Sequence, residues 1–70
     1  MRRFTDGDQL YDVVVGHESW GTFVLLFTPA RGGETRKSVL TGETALAAET
    51  ELDEMNDDEL RARLAESSPW

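Results

Sequence analysis

The longest apolar run of the chain, Phe23-Val24-Leu25-Leu26-Phe27, constrains the fold more than any other feature. Successive side chains of a strand point to opposite faces, so Phe23, Leu25 and Phe27 share one face while Val24 and Leu26 share the other. A strand that is apolar on both faces is either covered on both sides or leaves a patch for a partner. The run is also too short to cross a bilayer as a helix, which takes about 20 residues.

Shorter strand patterns precede this central strand, which we place at 20–28. An Asp-Gly pair at residues 6 and 7 separates two strand-like segments near 2–5 and 9–15. Such a pair readily supplies the positive φ angles of a tight hairpin turn. The polar, glycine-containing segment 16–19 is predicted to be a second turn.

The central strand begins with Trp20, which we predict to be buried or half-buried because large aromatic side chains supply much of a small core. Proline and glycine at 29–33 end the strand, since proline removes a ladder donor and glycine permits a sharp reversal. A fourth strand is predicted near 35–41. Arg36 and Lys37 within it are typical of the charges that protect an exposed sheet edge.

After residue 42 the apolar period changes from two residues to three and four, which is the spacing of one helix face. The residues with this spacing are Ala45, Ala48, Leu52 and Met55. They predict a helix near 43–54. A second short helix, capped by Asn56 or Asp57, would bury Leu60 and Leu64. The pattern leaves open whether this segment forms one helix or two.

These patterns predict one α+β domain over 1–70, a four-stranded antiparallel β-meander followed by one or two short C-terminal helices packed on one face. The meander occupies 1–42, an acidic helical segment 43–66 and a tail 67–70. Trp70 either docks on a surface or frays, and the pattern favours neither. A chain of this size has a small core, and without cysteine it has neither disulfides nor thiolate zinc sites to support it. Association with another protein chain is the remaining way to stabilise such a core.

The charge is concentrated at one end of the chain. The net charge is −7, and from Glu43 onward nine acidic residues outnumber two basic ones while residues 1–42 are neutral overall. Such a field repels phosphate and anionic lipid, so we expect no nucleic acid and no bare membrane as partner and favour a basic protein surface. The polar start of the chain lacks the apolar stretch of a secretory signal, which favours the cytoplasm.

Motifs that would carry catalysis or cofactor binding are weak. His17, Glu18 and Ser19 are the residue types of a hydrolytic triad, but consecutive side chains rarely converge. The carboxylates within 53–59 lack the alternation and the central glycine of a calcium loop. The Arg-Gly-Gly at 31–33 is one copy of a tripeptide whose repeats bind RNA. We therefore predict no catalytic, cofactor-binding or metal-binding residues, no cofactor and no enzyme activity.

Several short runs span most of the chain. They are Tyr11-Asp12-Val13-Val14, Ser19-Trp20-Gly21, Leu26-Phe27 before Pro29, and Asp57-Asp58-Glu59-Leu60 leading to Ser68-Pro69-Trp70. Together they resemble small bacterial proteins of similar length to which no function is attached. The resemblance implies a free-standing small bacterial protein and carries no activity or catalytic residue with it.

The two-faced strand, the small core and the acidic block favour a non-catalytic protein-interaction module. We expect a small accessory or extrinsic subunit that stabilises a larger bacterial assembly, cytoplasmic or peripheral on a membrane-embedded complex. The candidate interface residues are Trp20, Val24, Leu26, Arg36, Lys37 and Trp70. The alternative is a small-ligand or regulatory domain with a sheet–helix pocket near Tyr11, Trp20 and Arg36. Self-association also stays open.

Overall fold

The computed structural model describes residues 2–70, which form a five-stranded antiparallel sheet and two helices. The strands are β1 (Arg2–Asp6), β2 (Gln9–Ser19), β3 (Thr22–Pro29), β4 (Arg36–Val39) and β5 (Ser68–Pro69). The helices are α1 (Ala45–Asp53) and α2 (Asp57–Ala65). The strands lie in the order β1-β2-β3-β4-β5, so β3 is central, as its two apolar faces predict. The predicted α+β meander is confirmed, and the C-terminal tail adds a fifth strand to it.

The first hairpin closes at the predicted Asp-Gly pair. Asp6 pairs with Gln9, which leaves a two-residue loop. Gly7 has a φ of 61°, the positive value that the first loop position of a type II′ turn requires. Phe4 pairs with Tyr11 across the hairpin, and their ring centroids are 5.8 Å apart. The register therefore places both aromatic rings on the same face of the sheet.

The second strand is longer than predicted. β2 continues through 16–19, the segment predicted to be a turn, and the two-residue loop lies at Trp20-Gly21 instead. Gly16 marks a close approach within the sheet, because a Cβ there would lie 2.6 Å from Cδ1 of Leu26. A glycine of this kind leaves room for a neighbouring side chain and does not interrupt the strand. The chain turns where Gly21 adopts a φ of 74°.

The prediction that Trp20 is buried or half-buried is wrong. Its side chain is 97% exposed. β3 begins only at Thr22, so Trp20 lies at the tip of the loop and outside the pleated part of the sheet. The alternation of side chains along a strand therefore does not direct the Trp20 side chain toward either face of the sheet.

The core lies between the two helices and one face of the sheet. Leu25 and Phe27 of β3 are fully buried there, and Phe23 packs against the same cluster with part of its surface exposed. The remaining core residues come from the neighbouring strands, from both helices and from the segments that follow β4 and α1. They are Phe4, Val13, Leu40, Ala48, Leu52, Met55, Leu60 and Leu64. The helices thus cover one face of the sheet, as predicted, and it is the face that carries Phe23, Leu25 and Phe27.

Two separate helices form, and each has its own cap. The side chain of Thr44 accepts a hydrogen bond from the backbone N of Ala47, so α1 begins at residue 45 and not at 43. Asn56 accepts from the backbone N of Glu59 at 2.8 Å, and the Glu59 carboxylate accepts from the backbone N of Asn56. These side chains satisfy backbone donors that a first helical turn leaves free. Since Asn56 has an extended backbone, it also separates the two helices.

The C-terminal tail is held against the sheet from two sides. Pro69 pairs with Arg36, and the backbone N of Trp70 donates to the carbonyl of Thr35 at 3.0 Å. On the helical side, the Arg36 guanidinium donates to Oγ of Ser67 at 2.8 Å and to its carbonyl at 2.6 Å. Trp70 is therefore docked, which answers the question left open by the sequence. β4 is a covered strand here, not the exposed edge that its charges predict.

Gly42 lies in tight contact with the first helix. A Cβ on Gly42 would lie 2.9 Å from the backbone C of Ala47 and the backbone N of Ala48. We expect Gly42→Ala to lower the free energy of unfolding by about 1–3 kcal/mol, because helix backbone atoms yield less readily than a side-chain tip. Urea unfolding followed by circular dichroism measures the change. Glu43→Ala, at the exposed neighbouring position, serves as the control with an expected change within about 0.5 kcal/mol. Equal stabilities of the two variants would contradict the close contact.

Candidate interaction surface on the open sheet face

The sheet face opposite the helices carries the candidate interaction surface. Cross-strand pairing and alternation place Val14, Leu26 and Lys37 side by side on this face. Val39 lies two positions beyond Lys37 on β4 and therefore on the same side. Trp70 follows β5, and its ring lies beneath Nζ of Lys37 on this side. Val14, Val39 and Trp70 remain 37%, 54% and 56% exposed. We refer to the surface formed by Val14, Leu26, Val39 and Trp70 as the open face.

Val24 lies beneath the open face and contributes no surface to it. Val24 pairs with Val39 and is 0% exposed. Lys37 of β4 is the cross-strand neighbour of Leu26 on β3, and it forms an ion pair with Glu18 of β2. Because β3 lies between these two strands, the ion pair crosses β3. Of the two candidates on this part of β3, only Leu26 is therefore accessible.

The charges beside the open face are paired. Nε of Arg3 lies 2.7 Å from Oδ1 of Asp12, and the hydrogen bond and charge of Asp12 raise the pKa of Arg3 above its ordinary value. Lys37 pairs with Glu18, and its Nζ also lies 5.7 Å from the centroid of the Trp70 ring. An apolar centre flanked by polar groups is the usual arrangement of a protein interface.

Arg36 lies on the other side of the sheet. Besides its two bonds to Ser67, it donates to Oε1 of Glu34 at 3.2 Å. Its hydrogen bonds hold the tail that places Trp70 on the open face. The geometry thus gives Arg36 a positioning role, whereas Lys37 and Trp70 reach the open face directly.

Trp20 lines a separate cleft at the end of the β2–β3 hairpin. The cleft has a volume of about 250 Å³, and its other lining residues are His17, Gly21, Phe23 and Glu43. The rings of His17 and Phe23 stack with a centroid separation of 4.8 Å and an interplanar angle of 10°. Since His17 and Phe23 alternate with the open-face residues of their strands, this cleft lies on the helical side of the sheet.

The residues of the predicted sheet–helix pocket do not come together. Tyr11 lies near the start of β2 and Trp20 lies just beyond its end, so the two residues are roughly 25–30 Å apart at about 3.3 Å per residue. A second cleft of about 560 Å³ lies beside α1 and includes the exposed side chain of Leu46. Neither Tyr11 nor Arg36 lines either of the two clefts.

The residue types of a hydrolytic triad do not converge either. His17 stacks on Phe23 on the helical side, whereas Glu18 pairs with Lys37 on the opposite side. In the described part of the chain, residues 2–70, no three His, Asp or Glu side chains are grouped so as to hold a metal ion. None of the helices there has the length and apolar character needed to cross a membrane.

Sequence reasoning missed several residues of these surfaces. Val14 and Val39 had a usable signal, because the alternation of β2 and β4 turns them away from the core. No sequence signal indicates the cleft formed by His17, Phe23 and Glu43, because the cleft depends on the position of the turn in the second hairpin. Glu43 joins it only because the chain leaves β4 beside β3, where the backbone N of Leu40 donates to the carbonyl of Phe23 at 2.9 Å.

Together, the fold and these surfaces define a small α+β domain in which helices cover one sheet face and the other face is open and apolar. In comparisons with known proteins, the chain matches no family model, no curated protein and no solved structure.

Proposed function

We propose that the protein is a non-catalytic interaction module, a small accessory or extrinsic subunit that docks its open face on a larger bacterial protein assembly. The observation that carries this proposal is the apolar open face, where Val14, Leu26, Val39 and Trp70 lie together while the helices cover only the opposite side. The proposed location is the cytoplasm, with peripheral attachment to a membrane complex as one version.

The dimensions of the domain support docking through the whole of the open face. A standard protein interface takes about 800 Å² from each partner. The domain measures 33 × 22 × 19 Å, so an interface of that size requires most of one broad side. The flanking pairs Arg3–Asp12 and Lys37–Glu18 compensate their own charges, which favours an apolar partner surface at the centre of the contact.

The charge of the chain favours a different protein over a second copy. Each copy carries a net charge of −7, and two such copies repel each other, most strongly at low ionic strength. A partner with an apolar centre and basic surroundings meets no such cost. The small-ligand alternative has weaker support, because Tyr11, Trp20 and Arg36, the residues of the predicted pocket, do not line a common cleft.

Two single variants test the proposal, and each introduces one lysine on a different side of the sheet. Val39→Lys introduces a charge at the exposed open face, and Leu46→Lys introduces the same charge on α1, where Leu46 is 79% exposed. We expect Val39→Lys to weaken partner binding by at least tenfold, because a charge buried without a counterion costs several kcal/mol. Leu46→Lys should bind as the wild type does.

Tagged wild type and both variants are compared by quantitative mass spectrometry of proteins recovered from bacterial cells. A protein recovered in fixed ratio with the wild type and Leu46→Lys, and lost with Val39→Lys, supports docking through the open face. Recovery of the same proteins with all three would contradict it. Light scattering of the purified chain tests self-association, and a stable dimer sensitive to Val39→Lys would replace the proposed partner with a second copy.

A further inference from the structure

The exposed tryptophan at the tip of the second hairpin has no role in the core. Trp20 is 97% exposed in a two-residue loop, a place usually taken by small or polar residues. An aromatic ring exposed to water at the end of a hairpin is available for contact with a ligand, since aromatic residues are enriched among binding hot spots.

The surroundings of Trp20 have the chemistry of a site for an organic cation. The residues that line the cleft include Trp20, Glu43, and His17 and Phe23, whose rings stack on each other. Aromatic faces attract cations through their quadrupole, most strongly that of tryptophan. None of the ion pairs within residues 2–70 involves Glu43, so its charge is available to a bound group.

We propose that this cleft binds an arginine side chain of a basic protein segment, with the guanidinium stacked on Trp20 and hydrogen-bonded to Glu43. The planar guanidinium suits a cleft that is open to one side, because it stacks on one aromatic face and presents a fork of donors to a carboxylate. A volume of about 250 Å³ suits one side chain better than a whole small molecule. The net charge of −7 draws a basic segment toward the domain.

The proposed arginine site is independent of the open face. His17 and Phe23 lie on the helical side of the sheet, whereas Val39 and Trp70 lie on the other. Changes in the cleft therefore leave the open face intact, and either proposal can fail without the other.

Trp20 itself provides the readout. The chain has two tryptophans, so a Trp70→Phe background makes Trp20 the single fluorescent indole. The probe is a short glycine-spaced peptide with two arginines, titrated into this protein at low salt. The matched control is the same peptide with citrulline in place of arginine, which keeps the shape of the side chain and removes its charge.

We expect the arginine peptide to change Trp20 fluorescence saturably and the citrulline peptide to bind at least tenfold more weakly. Glu43→Gln should weaken arginine binding by about three- to tenfold, whereas Glu49→Gln, an exposed position on α1 with the same loss of charge, should weaken it less than twofold. Isothermal calorimetry of Trp20→Ala, expected to fold because the side chain is exposed, should detect a loss of about tenfold. Equal binding of the two peptides, equal effects of the two glutamine variants, or no saturation at millimolar peptide would overturn the proposal.

Discussion

Phe27→Ala is expected to leave most of the protein unfolded at 25 °C. Phe27 is 0% exposed on the central strand, and its ring meets that of Phe4 edge to face with centroids 6.0 Å apart and an interplanar angle of 72°. Removing a fully buried phenylalanine costs about 3–5 kcal/mol. A domain of this size rarely gains more than about 3–5 kcal/mol from its core, so the cost is comparable with the whole stability.

Phe23→Ala is the matched control, since it makes the same substitution on the same face of the same strand. Phe23 retains exposed surface and packs at the margin of the core. Its replacement should cost about 1–2 kcal/mol, less than full burial would imply. Urea and thermal unfolding followed by far-ultraviolet circular dichroism compare the two variants. A loss for Phe27→Ala no larger than that for Phe23→Ala would mean that the core is not centred on β3.

Glu51→Gln is expected to give the second large loss of stability. Oε1 of Glu51 accepts from the backbone N of Gly42 at 2.9 Å and from Oγ1 of Thr41 at 3.0 Å, and Oε2 lies 3.4 Å from Nη2 of Arg63. Arg63 also donates to the carbonyl of Val39 at 2.8 Å. The carboxylate therefore links both helices to the end of β4.

A neutral amide satisfies this cluster only in part. Its oxygen accepts from Gly42 or Thr41, but its NH₂ group faces donors on Thr41 and Arg63. We expect a loss of about 2 kcal/mol, in the range for hydrogen bonds to a charged group. Glu49→Gln, exposed on the same helix, removes the same charge and should change stability by less than about 0.5 kcal/mol. Equal losses in the two variants would assign the effect to net charge alone.

The same cluster makes stability sensitive to acid. Partial burial by itself raises the pKa of Glu51, but hydrogen bonds from Gly42 and Thr41 and the charge of Arg63 outweigh it, so the pKa lies below its ordinary value. A lowered pKa in the folded state gives stabilisation that is present above the unfolded pKa, near 4.3 for glutamate, and is lost as pH falls through the folded pKa. The wild type should therefore lose more stability than Glu51→Gln between pH 5 and pH 3, as measured by urea unfolding. Parallel losses in the two proteins would contradict this assignment.

The two proposed surfaces use different faces of the sheet and different chemistry. The open face offers apolar area with paired charges. The cleft at Trp20 offers aromatic residues and Glu43, which forms no ion pair within residues 2–70. In the two proposals, the open face would supply contact area, whereas the cleft would select a cationic side chain. Their independence allows the tests to assign affinity to one surface or to both.

Alternation and helical spacing were enough to predict the central strand, the first hairpin and a helical cover on one face of the sheet. These features depend on neighbours within a few positions, as in Phe23, Leu25 and Phe27, so a local pattern contains them. The same reasoning misplaced the second turn. A glycine beside polar residues is typical of a loop, but Gly16 serves a close approach to Leu26 on the next strand.

The sequence by itself therefore determined the α+β class, the order of the first four strands and the acidic helical end. Only the tertiary structure decided that Trp20 is exposed, that the tail forms β5 and that Glu51 joins both helices to β4. These outcomes depend on contacts between residues far apart in the chain, such as Arg36 with Ser67 and Arg2 with the carbonyl of Met55. Local periodicity does not contain such contacts, because they form only when packing brings distant segments together.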